Sequence, residues 1–549
     1  MSLQLTQDFT IPAQTAQVAK SAFPNGNLYL SMRDELGTIF ADEQFRELYP
    51  QRGQPVEAPW RLALVTLMQF SENLTDRQAA DAVRSRIDWK YVLGMELADQ
   101  GFHYSVLSEF RSRLILGQAE HLLFETLLKQ FKERGLLKAG GRQRTDSTHV
   151  LAAVRHLNRI ELVGQTLYHV LDLLAQVAPD WVRIQVSAGW YERYSQRFSN
   201  YRFPKQEAEQ FALAETIGSD GVHLLQRIYS EDAPAFLRTI PAIETLRKVW
   251  LQNYYQENDI LHWRKEGNLP PASLMILSPY DEEAHFSTKR EMYWHGYKVH
   301  LTETCQQDAP NLITHVETTP ANEQDNLALD KIHAALQEKQ LLPDQHVVDA
   351  GYVSGDNLVS SSQDHHIDLL GPIRSDNSWQ AREQDAFDLT QFQIDWDSQI
   401  ITCPMGKTSS NWGPGKGPRG KPTIQVQFRK KDCFGCEVRE RCTRSKTAAR
   451  CLTLHPKDQQ LAVQAARKRQ QTPLFKEQYA IRSGIEGTIG QAADKLGMRR
   501  SRYRGPTKTH LHHVLIAAAI NIKRFLDWLA GNPRSQARSS HFAALAATI

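Results

Sequence analysis

The sequence predicts an α/β protein. Its core is a mixed sheet flanked by helices, with a helical N-terminal domain before it and two insertions, one helical and one small and Cys-rich. Three observations predict this. Helical apolar periodicity fills residues 1–140 and returns over about 157–265 and 461–530. Strand-like runs occupy 142–150 and, alternating with helical stretches, the chain after Pro270 and Pro271. Residues 403–460 are rich in Gly, Pro, Lys and Cys and break both periods.

Taken in order, residues 62–70 are apolar enough for a buried helix opened by Pro55 and Pro59. Thr75 and Gln78 have capping-box spacing ahead of a helix over 76–86, with Ala79, Ala80 and Val83 on one face. A turn at 87–88 leads into 89–94. Ser105 is expected to cap a helix over 106–114 that carries Arg111 and Arg113 outward. Short helices with compact turns and basic outer positions suit a helix-turn-helix-like DNA-binding module, and suit an ordinary bundle equally well. Residues 142–150 read as a strand carrying an acid, 293–302 and 312–318 as neighbouring strands, 326–338 as a helix, and 346–349 and 367–371 as further strands. The order β-β-β-α-β-α-β, with helices covering a mixed sheet, gives an α/β core. Its two parts are expected at 141–402 and 461–530, on either side of the Cys-rich insertion at 403–460. Residues 531–549 read as a flexible tail.

Composition narrows the class. Hydrophobic residues make up 41% and charged residues 23% of the chain, ordinary values that exclude a collagen-like, disordered or coiled-coil protein. The longest apolar run, 514–520, falls far short of the roughly 20 residues that span a bilayer. The N-terminus lacks a basic segment followed by an apolar one, so no signal peptide is expected. Four of the 6 cysteines fall within 403–442, unlike a secreted disulfide scaffold. A soluble cytoplasmic protein is expected, with no membrane partner. The net charge of +3 conceals an asymmetry: residues 401–510 hold 24 Lys and Arg against 7 Asp and Glu. A region so basic in a chain otherwise acidic points to a polyanion, and nucleic acid is the commonest.

Three acids stand out by context. Asp146 sits in TDST; Asp349 ends an apolar strand before Ala350-Gly351-Tyr352, with Ser354 placed to cap the next helix; Glu486 follows Arg482 at helical i,i+4 spacing. An Asp at the end of a buried strand is costly to ionise unless paired or metal-bound, and strand carboxyl ends are where α/β sheets collect ligands.

The motifs TDSTHV (145–150), SPYDEEAHFSTKR (278–290), WHGYKVHLTETC (294–305), VVDAGYVSGDNL (347–358), RSGIEGTIGQAADKLGMRRSRYRG (482–505) and HLHHVLIAAAINIKRFLDWL (510–529) resemble the DDE transposases of bacterial insertion sequences, most closely the eleven-eighty-two family. The resemblance implies an RNase H-like core in which Asp146, Asp349 and Glu486 hold two Mg²⁺ ions, with Mn²⁺ able to substitute. Physical chemistry agrees with such an assignment. Phosphodiester cleavage needs an activated water and neutralised charge, which two divalent cations about 4 Å apart supply, and hard cations want carboxylates. The family signature Tyr-x2-Arg-x3-Glu-x6-Lys is met by Tyr479, Arg482 and Glu486 but ends here on Ala493. The resemblance therefore makes Arg482 a phosphate contact, with Tyr479 either a second or a packing residue, and Arg499, Arg500, Arg502 and Arg504 candidates for the missing contact. It also implies double-stranded DNA partners (terminal inverted repeats and target), a homo-oligomer holding two ends, and a bacterial, nucleoid-associated location.

Cys403, Cys433, Cys436 and Cys442 form a C-x29-C-x2-C-x5-C array. The tight central pair suits Zn²⁺, and the outer two can close a tetrahedral site; four reduced thiols are the alternative. Residues 415–422 nearly match a phosphate loop, but Pro422 stands where Ser or Thr would bind Mg²⁺ and a strand follows instead of a helix. An ATPase is excluded. A basic hairpin tip touching DNA through Lys416, Arg419 and Lys421 fits better, with Trp412 either stacking on an unpaired base or packing. The expected activity is metal-dependent DNA cleavage and strand transfer at the ends of an insertion sequence. The alternatives are a nuclease of the same fold without strand transfer, and a non-catalytic DNA-binding protein derived from a transposase.

Overall fold

The change of character at Arg142 marks the start of the longest-range pairing in the chain. In the computed structural model, Arg142–Leu151 forms strand β1; residues 3–532 are described, apart from 4, 7, 8, 51, 54, 55, 156, 199–202, 290 and 307. Pro55 and the tail beyond 532 thus lie outside the described residues, as does the side chain of Arg419. The remaining strands of the sheet are β2 (His285–Lys289), β3 (Met292–Thr304), β4 (Ile313–Pro320), β5 (Gln345–Val348) and β6 (Asp368–Leu370). The order is β4-β3-β1-β5-β6, with β2 pairing the first residues of β3. β3 runs antiparallel to β1 and to β4, while β1, β5 and β6 are parallel. This is the mixed sheet the strand-helix order predicts.

Strand alternation assigns the faces. Gln143 and Thr145 contact Thr314 and His346, and His346 bonds His333 on helix Leu329–Glu338. Arg144 on the opposite face lies against Gly484 and the carbonyl of Ile481 at the start of helix Gly484–Leu496. One helix therefore covers each face of β1. Helix Pro506–Leu529 is buried along most of its length, packing on Pro59–Ser71 and on β4, which is why residues 514–520 are apolar all round. Asn521 pins it to the sheet: its side chain accepts from the Ile313 N–H and donates to the Ile313 carbonyl, both at 2.8 Å.

The N-terminal helices do not form a separate core. Tyr29, Trp60, Phe70, Trp89 and Phe110 belong to one continuous apolar cluster with Leu301, Val348, Ile485 and Phe525. The capping box at Thr75 and Gln78 is present, and Ser354 caps Gly355–Gln363 as expected. Two expectations fail there. Ser105 is the first residue of helix Ser105–Leu116, with Tyr104 in the N-cap position and no side-chain cap; the Ser105 hydroxyl is engaged with His103 Nδ1 at 2.9 Å. Arg111 is not an outer basic position: it is buried, donating to Asp76 at 2.6 Å, because it spans from its helix to Asp76–Ser85.

The helical insertion has its own core, drawn from residues 157–276, and ends in a hairpin, Tyr254–Glu257 with Ile260–Trp263, where continuous helix was expected. The packing against it is close: Gly218 and Gly221 admit the rings of Tyr254 and Trp250 so tightly that a Cβ would stand 2.4 and 2.1 Å from them. The Cys-rich module is a three-stranded antiparallel sheet, Asn411–Lys416, Pro422–Gln427 and Cys451–Leu454. Its small core includes Phe387 and Phe392, so the unit reaches back before residue 403.

Candidate active site

The parallel register of β1 and β5 pairs Thr145 with Val348. One residue further along each strand stand Asp146 and Asp349, side by side on one face at the carboxyl ends of adjacent strands. Glu486 arrives from the first turn of Gly484–Leu496, on the same face. Between them lies Arg482, in the 3-10 turn Ile481–Ser483. It donates to Asp146 at 2.5 Å and to Glu486 at 2.8 Å, the i,i+4 pair that the spacing predicts. Asp146 is 8% exposed, and its Oδ1 accepts the Ser147 N–H at 2.8 Å. Burial raises its pKa above the usual carboxylate range, and Asp349 pushes the same way, while Arg482 and the Ser147 N–H oppose. Tyr479 stacks on Phe475 at 5.5 Å between centroids and 12° between planes; burial, with nearby acids, pushes its hydroxyl up to about 12.

The donor chemistry suits hard divalent cations: three carboxylates from two strand ends and a helix start, already gathering one positive charge. Among the described residues no group of three His, Cys, Asp or Glu side chains is arranged to hold a metal ion, and a guanidinium stands between two of the acids.

The expected basic residues divide. Arg499 reaches Thr148, two positions along β1 from Asp146 and on the same face, with Nε donating at 3.0 Å. Residues 499–501 hydrogen-bond the end of β1 at Leu151. Arg500, Arg504 and Lys416 are exposed, Arg504 over the ring of Tyr280 at 4.8 Å. Arg502 is turned away from the site: it donates to the Leu74 carbonyl at 2.6 Å and lies over Phe70, tying the sheet to the N-terminal helices. Lys421 is held by Asp356 on helix Gly355–Gln363 at 2.5 Å, and Trp412 packs edge-on against Trp396 at 5.6 Å, so both are engaged within the protein.

The four cysteines of the array line one cavity of about 30 Å³, together with Phe428 and Arg450. Cys403 begins a tight turn in which its sulfur accepts the Lys407 N–H at 3.4 Å and Gly406 adopts φ 73°. Burial pushes the Cys442 thiol up to about 11, with Cys433, Cys403 and Cys436 adding to the rise. Cys305 and Cys451 lie apart from this cavity.

Sequence reasoning missed what lies beneath the acids. Glu303, 0% exposed, is held by Arg144, Arg524 and Thr488. An acid inside the apolar alternation of β3 was the available signal.

Two family comparisons bear on this geometry. Residues 402–526 match the Transposase DDE domain family, and residues 17–113 match the Transposase domain (DUF772) family. The chain is thus similar to transposases over two separate stretches, one near each end. Glu486, Arg482 and the four cysteines fall within the first match, and Asp146 and Asp349 lie between the two. No curated protein matches the chain. No helix among the described residues is long and apolar enough to cross a membrane.

Proposed function

We propose that the chain is an active transposase with an RNase H-like core, cutting and joining DNA at the ends of its insertion sequence. The placement of Asp146 and Asp349 one residue beyond the Thr145–Val348 pair, with Glu486 joined to Asp146 through Arg482, is the observation that carries this reading. Asp146, Asp349 and Glu486 would hold two divalent cations, Mg²⁺ or Mn²⁺. When bound, these supply charge neutralisation at the phosphate and an acidified water. Arg482 does the rest of the electrostatic work: its fork, now paired with two carboxylates, has the geometry to pair bidentately with a phosphate beside the cut. Arg499, at the end of β1, brings a second cation to the same face. The exposed Arg500, Arg504 and Lys416 add phosphate affinity, so end binding is expected to weaken steeply with salt. The motif series supports membership of the eleven-eighty-two family, a homo-oligomer as the working form on two DNA ends, and the bacterial cytoplasm as its location.

The test is to incubate purified protein with pre-cleaved element ends, a target plasmid and Mg²⁺. Joined products are expected. Breaks alone would favour a nuclease of the same fold, and neither product would favour the non-catalytic DNA-binding reading.

The Cys-rich module supports a structural Zn²⁺ held by Cys403, Cys433, Cys436 and Cys442. Four cysteines lining one small cavity, a sulfur-accepting tight turn and a small apolar core favour a module stapled by metal, with the thiolates closing on the ion when it binds. One zinc per chain is expected by elemental analysis of protein purified without chelator. A Cys433→Ser/Cys436→Ser variant is expected to lose it. Wild-type protein without zinc would leave four reduced thiols as the correct reading.

A further inference from the structure

Glu303 is a fully buried carboxylate at the centre of a network joining three elements. Arg144 on β1 lies directly opposite it across the antiparallel pair and donates through Nε at 2.7 Å and a second nitrogen at 2.6 Å. Thr488 on Gly484–Leu496 donates to its other oxygen at 2.6 Å, and Arg524 on Pro506–Leu529 donates there at 2.7 Å. Arg524 also donates to the Thr488 hydroxyl at 2.6 Å, closing the ring. Arg144 additionally bonds the Ile481 carbonyl, beside Arg482.

The spacing is what makes this network informative. Arg144 is two residues before Asp146 on the same face of β1, and Thr488 is two residues after Glu486 on the helix. Glu486 faces solvent, with its side chain 63% exposed, while Thr488 is 1% exposed. The helix that carries Glu486 therefore has its inner side fixed, through one carboxylate, to the strand that carries Asp146. Gly484 lets this happen: a Cβ there would stand 2.1 Å from an Arg144 nitrogen. Taking a carboxylate out of water is costly, and apolar residues of similar volume often stabilise as well, so stability alone is a weak account of this network.

We propose that Glu303, acting through Arg144 and Thr488, is the positioning residue that sets the distance between Glu486 and Asp146. This rests on the carboxylate site proposed above. Loosening the network lets the helix shift by a fraction of an ångström, which leaves the fold and end binding intact but spoils cation binding.

The experiment titrates the full chain with Mn²⁺, following the free-ion electron paramagnetic resonance signal, alongside cleavage kinetics. Glu303→Gln keeps the shape and removes the charge, and Thr488→Val keeps the volume and removes the hydroxyl. Both are expected to bind end DNA within about threefold of wild type while Mn²⁺ affinity and kcat each fall about tenfold, the scale of lost outer-sphere support. Thr488→Ser is expected to restore both. If Glu303→Gln fails to fold, Thr488→Val decides. Wild-type Mn²⁺ affinity and kcat in folded Thr488→Val would overturn the inference. Asp146→Asn separates the two levels. If it binds Mn²⁺ like wild type, the carboxylate site itself is wrong. If it loses Mn²⁺ while Thr488→Val keeps it, only the role of Glu303 falls.

Discussion

Replacing Asp146 with Asn is expected to reduce cleavage by about a thousandfold or more, roughly 4 kcal/mol of barrier, while end binding stays within a few fold. Asp349→Asn and Glu486→Gln are expected to behave alike, because each removes one anionic ligand and leaves the shape. For Asp146 a second, opposite effect is expected. Burial raises its folded pKa despite the 2.5 Å contact with Arg482, so the ionised form is less welcome in the folded protein than in the unfolded chain. A raised folded pKa means stability that is present below the unfolded value and lost as pH rises through the folded one. Asn carries no such loss. The variant is therefore expected to melt higher than wild type at pH 8, and by less as pH is lowered within the range where the fold persists. Gel assays of plasmids carrying two ends, and melting curves at several pH values, read both effects. A dead enzyme that is also more stable is the signature of a site kept charged for function. Normal cleavage by Asp146→Asn would remove that residue from the site.

Much of this site was legible because it follows local rules. Asp349 announces itself as an acid at the end of the buried strand Gln345–Val348, and the Arg482–Glu486 pair follows from i,i+4 spacing alone. Other features depend on contacts between distant segments, which no local pattern encodes. Arg502 looked like part of a basic run toward DNA, yet its guanidinium bonds Leu74, far back in the chain. Arg111 had the spacing of an outer residue and is consumed by Asp76. Lys421 met the acid of a helix following Asp349. Arginine and lysine carry long apolar stems that let them bury against other elements, so charge in sequence is a poor guide to charge at the surface. The continuous core between N-terminal helices and sheet escaped notice for a related reason: helical periodicity gives the buried face but not what covers it.

The same shared core makes the protein vulnerable to acid. Burial holds the pKa of His121 and His300 at about 4 and of His333, His510 and His512 at about 3, and pushes His315, His346 and His513 well below the usual value. Geometry enforces neutrality. The Nε2 atoms of His121 and His510 face each other at 3.0 Å, and His333 Nε2 faces His346 Nδ1 at 2.8 Å, so one member of each pair must accept and cannot be protonated there. His510, His512 and His513 all lie on Pro506–Leu529, the helix joining the N-terminal helices to the sheet. In the unfolded chain each imidazole binds a proton near pH 6.5. Stability is then full above that value and is lost as pH falls from 6.5 toward the folded pKa. At pH 5 each neutral histidine forfeits about 2 kcal/mol, so five together forfeit about 10, the size of a whole domain's stability. Cooperative unfolding is expected between about pH 5 and 4, read by circular dichroism and reversed on neutralisation. His512 offers the control, since both its ring nitrogens are buried without a hydrogen-bond partner among the described residues. His512→Leu removes one proton-uptake site and no hydrogen bond, and is expected to move the midpoint to lower pH. A chain still folded at pH 3.5, or a midpoint unmoved by His512→Leu, would show that these histidines take up protons without opening the core.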